Sequence, residues 1–295
     1  MKVMKIKRLS CIILLLAMLS LCACGPETAM ETGPVPVDSF SGKVIDTRMF
    51  ADRRYYDGQP AALPAKVRAV IVPHAQVALG MSAGAIAALA QYNPKTVVLL
   101  GPNHRAIAPR IATTYAAFNT FDGLVLPRED LVRALESRGL AGVNDALFEE
   151  EHSVGAVIPI VARYLPGARL VPLIFQKSAR LDGAKKAIAG ACDFSDPDTV
   201  IVASIDFSHG LTSREEHGRR AKMLEYIRDF NAAAVLGLDS TYLDAPALLS
   251  ALLQLLEENG VRGVELIDES NIAELAGYEV PDATGFMTIV FYEQP

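Results

Sequence analysis

Thr96-Val97-Val98-Leu99-Leu100-Gly101-Pro102-Asn103-His104 is the stretch on which the fold of this chain turns. Five β-branched or apolar residues follow one another without a break, and a Gly-Pro pair then stops the run. A strand with one wet face alternates polar and apolar residues. An unbroken run of this length suits a strand covered on both faces. Similar runs occur at Val67–Val72, Leu170–Phe175, Thr199–Ile205, Val264–Ile267 and Met287–Tyr292. Between them lie segments with helical spacing: Met81–Tyr92, Glu129–Ser137, Val154–Tyr164, Leu181–Ala191, Ser213–Val235 and Ala245–Asn259. Strands that alternate with helices predict βαβ units. The expectation is one α/β domain over residues 44–295, with a central, largely parallel sheet and helices on both faces.

Three of the five histidines fall just beyond the carboxyl ends of such runs. His74 follows Val70-Ile71-Val72-Pro73, His104 ends the opening stretch, and His209 follows Val200–Ile205 by way of Asp206-Phe207-Ser208. Parallel strands deliver their carboxyl ends to one edge of a sheet, where ligands bind in open α/β folds. Histidine is the commonest side-chain metal ligand and the usual acid/base near neutral pH. Each histidine taken alone also reads as a loop residue with a satisfied hydrogen bond. Glu151-His152 opens a predicted helix at the same edge, with Glu149 and Glu150 reading as solvated acids. Asp206 lies at an apolar strand end, where an unpaired carboxylate is costly. It is expected either to orient a histidine or to cap the following loop.

The chain begins with a different signal. Residues 1–8 hold three Lys, one Arg and no acid, and residues 11–21 are nearly all apolar. That pattern predicts a secretory leader over residues 1–23, with a run too short to span a bilayer comfortably. Leu21-Cys22-Ala23-Cys24 resembles the bacterial lipobox, which implies cleavage before Cys24 and lipid on its sulfur. The alternative is an ordinary leader with incidental cysteines. Residues 24–43, rich in Pro and small residues, read as a flexible spacer. The expected location is extracytoplasmic, anchored by lipid to a bacterial membrane. Removal of residues 1–23, with four cations and no acid, takes the formal charge from −6 to −10. So acidic a domain is a poor partner for nucleic acid. Only Cys192 lies beyond the leader and its end, so no disulfide framework or thiolate zinc cluster is expected.

Val-Pro-His74-Ala, Gly101-Pro-Asn-His104, Glu151-His152-Ser153 and Asp206-Phe-Ser-His209, in this order and spacing, resemble the Memo family. Its bacterial members are called AmmeMemoRadiSam system protein B. The resemblance runs from about Val67 to the C-terminus. It implies the fold of the class III extradiol dioxygenases, which hold non-haem Fe(II) with two His and a carboxylate. By position, His74 and His104 resemble the metal ligands, His209 the acid/base beside the metal, and His152 a further pocket histidine. Asp244 is a candidate for the carboxylate ligand, or else an N-cap for the helix that follows it. The chain departs from the pattern in three places. Tyr242 stands where the family has a pocket Cys, Gln76-Val77 replaces Gly-Tyr, and the second Glu and His after His152 are missing.

Two classes of function follow. One is a non-haem-iron redox enzyme, with His74, His104 and Asp244 on the metal and His209, His152 and Asp206 in catalysis. Copper and zinc are the other metals considered, and metal-assisted hydrolysis is a variant without redox chemistry. The other class is a surface lipoprotein that captures a metal or small ligand without catalysis. The family's radical-SAM partner is not expected here, since an exported chain and a cytosolic enzyme do not meet. Labelled fatty acid should be incorporated by the expressed chain, and Cys24→Ala should abolish the label. Label persisting on that variant would refute the lipid assignment.

Overall fold

The computed structural model describes residues 40–64 and 66–294. The leader, Cys24 and residues 24–39 of the spacer lie outside the described residues. Among the described residues the elements run in chain order as follows. First come β1 (Val44–Asp46), β2 (Val67–Val72), α1 (Leu79–Leu89), β3 (Thr96–Asn103), β4 (Ile111–Thr113), β5 (Ala117–Thr120) and β6 (Gly123–Val125). The middle comprises α2 (Glu129–Ser137), β7 (Gly142–Val143), α3 (Asp145–Glu150), α4 (His152–Gly155), α5 (Ile158–Tyr164), β8 (Arg169–Gln176) and α6 (Leu181–Ala191). The last part holds β9 (Thr199–Ser204), β10 (Phe207–Leu211), α7 (Ser213–Arg228), α8 (Ala232–Leu236), α9 (Pro246–Glu258), β11 (Gly263–Asn271), α10 (Ile272–Ala276) and β12 (Ala283–Tyr292).

The main sheet has the order β10-β12-β2-β9-β3-β8-β4-β7, with β11 also paired to β12. Its centre, β2-β9-β3-β8, is parallel throughout. The flanks are mixed: β12 is antiparallel to β2, β10 and β11, and β4 is antiparallel to β8. The predicted parallel sheet is thus the core, with antiparallel strands closing it. Alternate residues of the central strands enter two separate cores. Ala69, Ile71, Val98, Leu100, Ile201 and Ala203 pack with α6, α7, α8 and α9. Val70, Val72, Val97, Leu99, Val200 and Val202 pack with α1, α5 and a small sheet of β1, β5 and β6. Burial on both faces is the physical reason for the unbroken apolar runs.

Two predicted helices are broken in ways the local chain explains. The Val154–Tyr164 segment is α4 and α5, separated at Ala156-Val157, with Pro159, which has no N–H to donate, in the first turn of α5. The Ser213–Val235 segment divides into α7 and α8 at Phe230, whose φ of 50° is left-handed. The run read as Thr199–Ile205 ends at Ser204, and His209 lies on the separate strand β10.

Gly101 decides how closely α4 approaches the end of β3. A Cβ there would lie 2.8 Å from Ser153 Oγ and 2.9 Å from Val154 Cγ1. Gly101→Val should therefore force α4 outward and destabilise the fold by about 1–3 kcal/mol, the usual cost of overpacking. A lowered urea midpoint is the expected measurement; an unchanged one would mean that α4 is not held there.

Candidate metal centre

The parallel core brings the ends of β2, β9 and β3 side by side, with β9 in the middle. Val72 pairs with Ser204, and Leu100 with Ala203. His74 and His104 extend from the outer two strands, and Asp206 extends from the one between. His152 enters from the start of α4. Ser153 fastens that helix to the strand ends: its hydroxyl donates to the Pro102 carbonyl at 2.7 Å, and its carbonyl accepts from Ser204 Oγ at 2.5 Å.

The second of these bonds decides the tautomer of His74. Its Nδ1 lies 3.0 Å from Ser204 Oγ. A serine hydroxyl has one proton, and that proton is already given to Ser153. Ser204 therefore accepts from His74 Nδ1–H, and His74 Nε2 carries the free lone pair. His104 is set in the same way by Glu151, which is fully buried. Glu151 Oε1 accepts from His104 Nδ1–H at 2.8 Å, Oε2 accepts the His104 amide at 2.7 Å, and Oε1 also accepts the Ser153 amide at 2.9 Å. Burial pushes the Glu151 carboxyl upward, but these donors outweigh it and hold the group at about 2. Carboxylates that fix one ring nitrogen and leave the other exposed are the usual support of metal-binding histidines.

The rings of His104 and His152 stack at 4.6 Å, and His74 stands edge-on to both at 5.3 Å. One nitrogen of each ring lies within 4.8 Å of one nitrogen of each of the others. Burial, followed by the nearby His104, pushes His74 well below the ordinary histidine range and lowers His152 as well. Neutral imidazole is the form that ligates a metal.

Two carboxylates face the same point. Asp244 Oδ2 lies 3.4 Å from His74 Nε2 and 3.8 Å from His104 Nε2, while Asp206 Oδ2 lies 3.6 Å from His74 Nε2. Asp244 Oδ1 is buried without a hydrogen-bond partner. Burial, and then the charge of Asp206, push Asp244 well above the usual carboxylate range; burial also raises Asp206. Lone pairs of nitrogen and oxygen meeting at these distances need a proton or a cation between them. The donor set of imidazoles and carboxylates fits a divalent first-row metal.

The structure brings His74, His104, His152, Asp206 and Asp244 together and sets His209 beside them. The geometry moves one residue to another group and decides between the two readings of two others. His152, assigned to catalysis, belongs to the imidazole cluster. Asp206 orients a histidine rather than capping a loop: its Oδ1 accepts the His74 amide at 2.9 Å, because β9 runs next to β2. Asp244 is not an N-cap: Ala245 holds that position in α9, with no side-chain bond, and the carboxylate turns inward to the histidines. Glu151, Ser153 and Ser204 escaped the sequence reading as site residues. A lone hydroxyl at Ser204 inside an apolar run was the available signal for it, and for Glu151 the signal was its place beside His152 at the predicted helix start. Tyr242 lies under the Arg219 guanidinium at 4.2 Å. Cys192 closes α6, its thiol pushed by burial to about 12. A cavity of about 850 Å³ between β4, β7, α2 and α6, lined by Arg110, Leu140 and Arg180, includes none of the histidines.

A family model described as Memo-like protein matches residues 48–274. A MEMO1 family protein of Caldivirga maquilingensis is 25% identical over 238 residues, 77% of this chain and 84% of that protein. One from Methanopyrus kandleri is 27% identical over 244 residues, with the same two coverages. Among solved structures, an uncharacterized Escherichia coli protein is similar with a TM-score of 0.47 at 12% identity, over 76% of this chain and 99% of that one.

In chelator-treated protein, ¹⁵N NMR should find His74 protonated at Nδ1 and bare at Nε2. Ser204→Ala should remove that preference. The opposite tautomer in the unmodified chain would refute the hydrogen-bond assignment.

Proposed function

The chain belongs to the Memo family, and from that premise we propose that His74, His104 and His152, with Asp244 beside them, hold a divalent transition metal. The observation that carries this reading is the convergence of three imidazoles within 4.8 Å, two of them locked at Nδ1 by Ser204 and Glu151. The orphaned oxygen of Asp244 supports it, since a buried carboxylate without a donor is relieved by a cation. A mixed set of imidazole and carboxylate suits Fe(II), as it also suits zinc and copper; Fe(II) is the member of that group proposed here. Fe(II) bound there would supply redox chemistry with open positions for an electron-rich small substrate.

The chain's own groups then have separate tasks. Glu151 holds His104 in the ligating tautomer, and Ser204 does so for His74. Asp206 fixes the His74 backbone. His209 is the proton-transfer group: its Nε2 is buried without a partner, and its Nδ1 lies 3.4 Å from Thr284 Oγ1. A neutral imidazole with one uncommitted nitrogen is suited to take or give a proton. On this reading the protein is a redox enzyme of the extradiol dioxygenase type. Tyr242 stands in place of the family's pocket Cys, so the donors argued for here are imidazole and carboxylate alone. We propose in addition that it works outside the cytoplasm, tethered by lipid on Cys24. Among the described residues no helix is long and apolar enough to cross a membrane.

Metal analysis after anaerobic purification tests the reading. The protein should carry a stoichiometric first-row metal, and His74→Ala, His104→Ala and His152→Ala should each lose it. Glu151→Ala should weaken metal affinity by roughly 10–100-fold, the usual effect of losing a carboxylate behind a ligating histidine. His209→Ala should keep the metal while lowering catechol turnover by about 10²–10⁴-fold. Metal content unaltered by all three ligand changes would refute the centre.

A further inference from the structure

The strand that carries His209 is irregular. Phe207 pairs with Gly285 and Leu211 with Ala283, so a four-residue step on β10 faces a two-residue step on β12. Two surplus residues make a bulge, and bulges redirect side chains out of the ladder. His209 lies at its centre, between Ser208 at φ 36° and Gly210 at φ 68°. Left-handed backbone is unfavourable for serine, so something must hold Ser208 there.

Two contacts do so. The Ser208 amide donates to the Tyr242 carbonyl at 2.7 Å, and its hydroxyl donates to Glu216 Oε1 at 3.3 Å. Ser208 and Glu216 are both fully buried. The other oxygen of Glu216 accepts from Asn271 Nδ2 at 3.1 Å, and Arg220 Nε lies 3.4 Å from Oε1. Gly285 makes the approach possible: a Cβ there would come within 2.0 Å of Glu216 Oε1 and 2.7 Å of Ser208 Oγ. Glu216 touches neither the three clustered histidines nor the two carboxylates that face them, and nothing in the proposed chemistry calls for it. A buried carboxylate supported by an arginine and an asparagine, and aimed at a strained serine, is a brace.

We infer that Glu216 is a positioning residue that acts through Ser208 to hold the bulge and so to aim His209. The inference rests on the proposed role of His209, and its test is independent of any metal. Diethyl pyrocarbonate is applied to the full chain after chelator treatment, and modification is read at each histidine by peptide mass. In the unaltered protein His209 should react slowly, since its Nε2 is buried. Ser208→Ala should raise the His209 rate by roughly tenfold, the change that loss of one hydrogen bond to a charged group allows, with His152 unchanged. Gly285→Ala, which displaces the Glu216 carboxylate, should act in the same direction. If Gly285→Ala does not fold, Ser208→Ala decides alone. A lower melting temperature with the wild-type His209 rate would make the brace merely structural and overturn the inference. Equal acceleration at His209 and His152 would also overturn it, by marking general loosening. Loss of the metal reading would appear separately, as absent metal in the unaltered chain.

Discussion

Everything at the centre depends on one constraint: β9 runs parallel between β2 and β3, with both faces of all three strands buried. A strand in that position has no solvent side on which to place polar groups. The polar residues it carries must emerge at the carboxyl end, where hydrogen bonds replace lost hydration. Ser204 and Asp206 occupy that end. One bonds to the ring of His74 and the other to its backbone. The same strand that joins the two halves of the sheet also sets the orientation of the histidine beside it.

Charge within this edge is arranged unequally. Glu151 is ionised because three hydrogen bonds reach it, two from backbone amides and one from the His104 ring. Asp244 has no such support on Oδ1, and burial drives it toward the neutral form. One carboxylate is therefore committed to holding the His104 ring, and the other has an oxygen left free to meet a cation. Ligand sets are commonly divided in this way, with part of the charge behind the imidazoles and part facing the ion. His209 stands apart from both, on an antiparallel strand closing the flank of the sheet, and its bulge gives it an aim that regular pairing would deny.

Composition and periodicity carried the α/β class, the central strands, and the placing of His74 and His104 beyond two of them. Val67–Val72 and Glu129–Ser137 match the structure to the residue, because burial imposes a pattern that survives in one dimension. Short strands such as β4 to β7 were not legible, since two to four residues hold too little periodicity. Breaks at Ala156-Val157 and Phe230 were missed for a related reason: helical spacing continues across them, and only the local backbone stops.

What the sequence by itself determined is the set of groups available near this edge: three histidines and Asp206 beyond apolar runs, whose ends follow from hydrophobic pattern, with His152 at a helix start and Asp244 just before another helix. Which of these groups face one another was decided only by the tertiary structure. Strand order placed β9 beside β2, and so brought Asp206 Oδ1 to the His74 amide. The packing of α4 over Gly101 buried Glu151 while Glu149 and Glu150, alike in sequence, stayed in water. Neighbours at this edge are set by topology and close packing, which join residues 38 to 132 positions apart, and no local pattern encodes them.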